Sequence, residues 1–351
     1  MIKLKAHQKI SFSRDLKRTI VFQAILVFAF AQTLVGVQQS VGATIITLLV
    51  FTAITAPLFL AANPELLKVL RNNRRQSLKQ FIVLIGSLFV LTGLYAVTTN
   101  QLSGVYLAMS AVWFIIALLM IVLSGSKTFP SLFDYLFILL AWLPVQFAVF
   151  ANVTLPAVQP FVQPFAIISV LFLLFAYPVL RQFNIGYSFN LKWDDYRIVV
   201  LNLLLYFFIA IIISVLGGFL TITDRMPSLG QTTLQLIRIF YLIAIPEELL
   251  FRGVIYRTLV KHFEGRSYAV GKALVISSVV FGLSRAFHPI APTININFGS
   301  LGVWQMPLAN MLLTTVAGFF YGLVFIRTKK IFAAAVIHLL VEWIWLVFFN
   351  G

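Results

Sequence analysis

Apolar residues run in long blocks along the chain, separated by short clusters of polar residues, glycine and proline. The blocks are about 18–22 residues long, which matches the roughly 20 residues that an α-helix needs to cross a bilayer. Breaks such as NPELLKVLRNNRRQ and TININFGS mark the connections. The pattern predicts an all-α, polytopic transmembrane bundle of about eleven helices. The predicted helices are residues 20–37, 42–62, 81–97, 105–124, 132–152, 161–180, 198–219, 234–260, 273–290, 307–326 and 331–349.

Basic residues are distributed unevenly between the two sides of this bundle. If the N-terminus is cytoplasmic, the cytoplasmic side contains every Lys and Arg except Arg225 in an outer loop and Arg238, Arg252 and Arg285 within helices. Cytoplasmic loops accumulate Lys and Arg, so the pattern predicts that the N-terminus is inside and the C-terminus outside. The net charge of +16 is then explained by basic loops that face an anionic lipid leaflet.

Composition supports this interpretation and excludes several function classes. Hydrophobic residues make up 61% of the 351 residues, and only 10% are charged, far from the balance of a soluble domain. The chain has no cysteine, which excludes disulfides, thiolate zinc sites and cysteine nucleophiles. No compact basic domain is available to bind nucleic acid. We expect an integral multi-pass protein, in the cytoplasmic membrane of a bacterium, whose partners are the lipid bilayer and a membrane-protein or peptide substrate.

Ionisable residues within the predicted helices concentrate near the C-terminus. The earlier exception is Asp134, which lies near the start of its helix and is expected to be interfacial. The chain is therefore predicted to divide into a hydrophobic N-terminal bundle of about six helices, residues 1–197, and a chemically equipped bundle, residues 198–351.

Three helices of the second bundle are predicted to carry polar groups at a common depth. With a rise of 1.5 Å per residue, these groups lie within about 12 Å of one another in depth. Ionisable side chains inside a membrane are costly and usually have a function. The residues of this predicted layer are Glu247, Glu248, Arg285, His288, His338 and Glu342.

The segment IPEELLFRGV contains the first part of the layer. Glu248 and Arg252 are four residues apart on one helix face, so they are predicted to form a structural salt bridge. Glu247 faces another direction and lacks that partner, which suits a general base that takes and returns a proton. The alternative is a second structural carboxylate, paired with Arg285 or Arg238.

The last helix contributes AAAVIHLLVEW, in which His338 and Glu342 share one face. They form either a pair within a functional site or a purely structural pair. His288, which precedes a proline, is either a residue of the site or a residue at the membrane interface. A carboxylate, histidines and an arginine in a dry site can activate water and stabilise an oxyanion. The same groups could bind a divalent ion such as zinc. The absence of HExxH gives a thermolysin-type site no support, so no cofactor is favoured.

The motifs EELLFR, Phe281 and His338 resemble the CAAX-protease and bacteriocin-processing family (CPBP or Abi family) of intramembrane endopeptidases. That family carries Glu-Glu-x-x-x-Arg, then Phe-x-x-x-His, then His-x-x-x-Asn or Asp. The first motif matches fully. The second has Arg285 in place of histidine, and the third has Glu342 in place of Asn or Asp. The resemblance covers roughly residues 198–349.

The resemblance implies a glutamate-activated water, no covalent intermediate and an oxyanion pocket from the later motifs. We therefore expect an intramembrane glutamic-type endopeptidase, a hydrolase with Glu247 as general base. His338, with His288 substituting for the missing motif histidine, would orient the water and the oxyanion. Glu248 and Arg252 would support them. The substrate would be a peptide or membrane-protein segment, with lipidated ones among the candidates.

Two other functions are compatible with the same residues. A catalytically silent relative that binds a membrane protein would use Arg285 and Glu342 in a closed, charge-neutral network. A proton-coupled transporter would also place Glu and His in its helices. Transporters often have inverted repeats, and the sequence shows none, so the protease and the silent relative are the main alternatives.

Overall fold

The computed structural model describes residues 6–35, 37, 40–71, 74–101, 104–125, 127–147, 153–155, 163–216, 228–286 and 305–349. Most of these residues are helical, which confirms the predicted all-α polytopic bundle. The chain forms two compact units, Met1–Ser188 and Phe189–Gly351.

Seven helices in the described part of the chain are long and apolar enough to cross a membrane. Two shorter apolar helices, Leu132–Gln146 and Pro164–Leu180, accompany them. The chain is therefore an integral multi-pass membrane protein, while the side on which each terminus lies stays a prediction. The seven spans are Leu16–Leu34, Val41–Leu60, Arg75–Thr98, Gly104–Ser124, Trp193–Val215, Asn310–Thr328 and Ile331–Phe348.

The first unit contains seven α-helices in its described residues. They are α1 (Ala6–Leu34), α2 (Val41–Leu60), α3 (Pro64–Leu70), α4 (Arg74–Thr98), α5 (Gly104–Ser124), α6 (Leu132–Gln146) and α7 (Pro164–Phe175), which continues into a π-helical turn, Ala176–Leu180. The short helix α3 lies in a stretch that was predicted as a connection. It begins because the Asn63 side chain accepts a hydrogen bond from the Glu65 amide at 2.9 Å, and Pro64 occupies the first turn.

A buried ion pair organises one end of this unit. Asp134, expected to be interfacial, is fully buried. Its carboxylate accepts a hydrogen bond from Arg181 Nη2 at 2.9 Å, and its other oxygen lies 2.9 Å from Arg181 Nε. Arg181 also donates to the carbonyl of Ser124 at 2.8 Å. An ion pair with further hydrogen bonds offsets part of the cost of removing both charges from water. The pair therefore holds the end of α5, the start of α6 and the end of α7 together.

The second unit contains the residues of the predicted layer. Its helices are α8 (Trp193–Leu216), α9 (Leu229–Arg238), α10 (Ile245–Glu248), α11 (Arg257–His262), α12 (Ala269–Ala286), α13 (Gln305–Thr328) and α14 (Ile331–Phe348). Two π-helical segments, Ile239–Ala244 and Leu249–Tyr256, join α9, α10 and α11 into one continuous helix, here called the motif helix (residues 229–262). The unit begins at Phe189, before the boundary predicted at residue 198, and the division of function between the two parts stays a prediction.

Helices α12 and α13 pack closely in this unit. A Cβ at Gly282 of α12 would collide with the hydroxyl of Thr315 and lie 2.6 Å from the carbonyl oxygen of Met311, both on α13. Only glycine permits such an approach, as in other small-residue contacts between membrane helices. The contact places the end of α12, and with it Arg285, against α13.

Helix α14 is fixed to α8 at two levels. At its start, Lys330 Nζ lies 2.6 Å from the carboxylate of Asp195. Towards its end, the Trp345 indole N–H donates to the Tyr206 hydroxyl at 3.1 Å. His338 lies between these two ties in the sequence. The small residues 333–335 are fully buried.

Candidate intramembrane active site

The two adjacent glutamates lie on a single α-helical turn between the π-helical segments of the motif helix. Pro246 precedes them and has no N–H to donate, so the preceding turn cannot close with regular α-helical bonds. π-Helical turns are often found at functional sites. The local sequence thus places Glu247 and Glu248 where the helix departs from regular α geometry.

Glu248 belongs to a fully buried group of charges. One of its carboxylate oxygens lies 3.1 Å from Arg252 Nε, and the other lies 2.9 Å from His338 Nδ1. Arg252 also donates to the carbonyl of Gly318 at 2.7 Å, and its guanidinium carbon lies 4.7 Å from the centre of the Phe281 ring. These partners make a buried glutamate and arginine tolerable in the membrane. The predicted Glu248–Arg252 salt bridge is therefore present in the structure.

Glu247, Arg285 and Glu342 form a second, partly accessible group. Their side chains are 25%, 19% and 28% exposed, respectively. Arg285 Nη2 lies 2.6 Å from the carboxylate of Glu247 and 3.0 Å from that of Glu342. One guanidinium nitrogen therefore bridges the two accessible carboxylates. A Glu247–Arg285 pair and an Arg285–Glu342 pair were predicted from the sequence as separate alternatives, and the structure contains both contacts.

His338 connects the buried and the accessible groups. Its Nδ1 contacts Glu248, its Nε2 lies 3.1 Å from Glu342, and Nε2 is 3.8 Å from Glu247. A neutral imidazole has one N–H, and ionised carboxylates only accept hydrogen bonds. The contacts with Glu248 and Glu342 together therefore require one further proton, either on the ring or on a carboxyl group. With that proton, three carboxyls, two guanidiniums and one imidazole sum to a neutral network, which lowers the cost of its burial.

The aromatic residue next to His338 was not predicted from the sequence. Tyr321 of α13 stacks on the imidazole, with ring centroids 4.7 Å apart and an angle of 20° between the planes. Tyr321 lies in GFFYG, and the spacing of Gly318 and Gly322 could have predicted a close helix contact. It could not have predicted which helix, or that this ring would face His338.

The structure thus brings together most of the predicted site residues. The residues that share this contact network are Glu247, Glu248, Arg252, Phe281, Arg285, His338 and Glu342. His288 lies outside the described residues. The catalytic and supporting roles assigned to these residues stay predictions.

A divalent metal ion fits this arrangement poorly. Glu247, His338 and Glu342 each offer one ligand atom, and these atoms lie within 4.8 Å of one another. Carboxylate oxygens and imidazole nitrogens are suitable zinc ligands. However, the Arg285 guanidinium already bonds both carboxylates, so an ion could bind only if this cation were displaced. The residues as placed do not form a metal centre.

The fold and this network define a polytopic membrane protein with an ionisable site inside a helical bundle. Residues 229–344 match the family described as "Type II CAAX prenyl endopeptidase Rce1-like". The matched segment includes the described site residues from Glu247 to Glu342, and its similarity to that family of CAAX proteases agrees with the resemblance of its motifs. The match covers less than half of the chain. No curated protein and no solved structure matches the chain significantly.

Proposed function

We propose that the chain is an intramembrane endopeptidase in which Glu247 activates a water molecule to hydrolyse a peptide bond. The contrast between the adjacent glutamates carries this proposal. Glu248 is fully buried against Arg252 and His338, whereas a quarter of the Glu247 side chain is exposed. A general base must reach water and return its proton. The greater exposure of Glu247 supports its assignment as the base.

In the proposed reaction, Glu247 takes a proton from water, and the resulting hydroxide attacks the scissile carbonyl carbon. The carbonyl double bond opens to a tetrahedral oxyanion. When this intermediate collapses, the C–N bond breaks and the proton held by Glu247 passes to the leaving nitrogen. No covalent enzyme intermediate is formed and no metal ion takes part.

Arg285 would stabilise the oxyanion in place of the histidine that the family carries at this position. A guanidinium remains protonated, so it cannot act as acid or base but can donate hydrogen bonds to negative charge. Its two contacts allow this role, because Arg285 can release Glu247 while it keeps the ion pair with Glu342. Glu342 would then anchor both Arg285 and His338, and His338 would orient the water.

The proposed substrate is a peptide or a membrane-protein segment that reaches the site within the bilayer. Lipidated segments are included, because the matched family is described as prenyl endopeptidases. We propose a bacterial cytoplasmic membrane, with the N-terminus inside and the C-terminus outside, on the basis of the basic loops.

A second candidate is a catalytically silent relative that binds a membrane-protein partner. The observation that favours it is the bridge from Arg285 to both Glu247 and Glu342. This bridge completes a neutral network and occupies the accessible oxygen of the proposed base. The two candidates differ in whether Arg285 ever releases Glu247.

The test uses the full chain in lipid nanodiscs and a library of peptides with and without a C-terminal prenylated cysteine. Three proteins are compared: wild type, E247Q and the double variant R285H/E342N, which restores the family motifs. Cleavage by wild type that is lost in E247Q supports the peptidase. Cleavage by R285H/E342N alone, with none by wild type, would support the silent relative. Cleavage by E247Q at the wild-type rate would exclude Glu247 as the base.

A further inference from the structure

We propose that Tyr321 is a positioning residue that fixes the plane of the His338 ring in the site. This inference rests on the proposed function of the site. Tyr321 belongs to α13, which contributes no residue to the three family motifs. The matched segment includes it, but its type and position follow from no motif.

The contacts of His338 show what Tyr321 adds. The nitrogens of His338 are held by Glu248 at 2.9 Å and by Glu342 at 3.1 Å. Phe281 meets the imidazole nearly edge-on, at 80° and 5.8 Å. Tyr321 covers a face of the ring at 4.7 Å. Rotation of the imidazole about its Cβ–Cγ bond would lose both carboxylate contacts, and the stacked ring opposes that rotation.

Tyr321 also suits the charge of its surroundings. The Arg252 guanidinium carbon lies 5.4 Å from the centre of its ring, so one aromatic ring lies close to both the arginine and the histidine of the buried group. Aromatic faces attract cations. An imidazolium, the form with two N–H groups, would satisfy both carboxylate contacts of His338 at once. The tyrosine ring therefore favours the arrangement in which both nitrogens donate.

The proposed role depends on the aromatic ring of Tyr321 and not on its hydroxyl. Stacking needs only the ring, so Y321F should behave like the wild type. Y321L keeps an apolar side chain but removes the aromatic face. F325L is the matched control, because Phe325 lies four residues further along the same helix and is equally buried. Phe325 contacts Tyr256 and Arg257, both remote from His338 in the sequence.

The first measurement is independent of any substrate. The chain has four histidines, so ¹⁵N-histidine labelling gives a simple spectrum in which H338Q identifies the His338 signals. We expect Y321F and F325L to keep the wild-type shifts of both ring nitrogens. In Y321L both signals should move towards those of a free imidazole. Unchanged shifts in Y321L, or an equal change in F325L, would overturn the inference.

The second measurement uses cleavage of a peptide found in the library. Because the ring positions a site residue and does not bind substrate, Y321L should lower kcat about tenfold with little change in KM. Y321F should restore the wild-type kcat. If the ¹⁵N result holds but no peptide is cleaved, the proposed function fails and the role of Tyr321 in holding His338 stands. If peptides are cleaved but Y321L keeps the wild-type kcat, the inference fails alone.

Discussion

Arg285 Nη2 lies 2.6 Å from the carboxylate of Glu247, at the position where the family carries a histidine. The contact neutralises the proposed base, and the same nitrogen also reaches Glu342 at 3.0 Å. Two departures from the family motifs are thus in direct contact. An added negative charge at one position accompanies an added positive charge at the other, so the pair preserves the charge balance of the layer.

Removal of Arg285 alone should therefore be destabilising. R285M would leave Glu247 and Glu342 close together without a cation. Because these side chains are 19–28% exposed, the cost should fall between those of surface and buried pairs, about 1–3 kcal/mol. The measurement is the free energy of unfolding by denaturant in mixed micelles. Adding E342Q should recover part of the loss. Purely additive destabilisation in the double variant would contradict the coupling.

The fully buried Glu248–Arg252 pair should be more sensitive to substitution than the contacts of Arg285. R252M would leave Glu248 without its guanidinium in a fully buried position, at a cost of about 3–5 kcal/mol in the free energy of unfolding. The matched control is the surface pair Lys68–Glu65, at 2.9 Å, in which the lysine is 60% exposed. K68M should change stability by less than about 1 kcal/mol. Similar effects of R252M and K68M would show that the buried pair is dispensable.

Gly318 should tolerate no side chain. A Cβ at this position would lie 2.8 Å from the Phe281 ring and 3.2 Å from the Arg252 guanidinium. G318A should therefore displace both side chains and cost about 1–3 kcal/mol of stability. Gly271 is the control, since a Cβ there meets nothing within 4 Å. G271A, within α12, should be neutral or stabilising by up to about 1 kcal/mol. Equal tolerance at the two glycines would contradict the packing of α13.

Substitutions of the two adjacent glutamates should have different effects on stability and on cleavage. E247Q should keep the wild-type stability within about 1 kcal/mol, because the side chain is only partly buried, and should lose cleavage by about 10²–10⁴-fold. E248Q should lose stability as well, because it disturbs both Arg252 and His338. Paired measurements of unfolding and peptide cleavage check this. The assignment of the base would be reversed if E248Q kept its stability and lost only activity.

The membrane helices and the layer of ionisable residues at a common depth could be predicted because each depends on spacing along the sequence. Apolar block length fixes a membrane helix, and a common depth follows from counting residues to the helix ends. The helix α3 was missed because seven residues give too short a periodic pattern. The Glu248–Arg252 pair was predictable because both residues lie on one helix. The bridge from Arg285 to two carboxylates depends on the rotation of α12 and α14 about their axes, which no single helix encodes.

The same reasoning explains why Tyr321 and the π-helical turns were missed. A ring on α13 reaches His338 only through the way in which two helices meet. The π-helical turns alter the spacing on which a regular helical count depends, so the side-chain directions within Leu249–Tyr256 differ from those of an ideal α-helix. Pro246 was a visible signal for irregularity, but it does not specify which neighbouring turns widen.

The two ties between α8 and α14 have a consequence for protein engineering. Helix α8 lies before residue 229, where the family match begins, yet Asp195 and Tyr206 hold both ends of the helix that carries His338. A graft or minimal fragment designed from the family match alone would leave α14 without these anchors. A fragment or chimaera that keeps these anchors should therefore begin near Phe189, before α8.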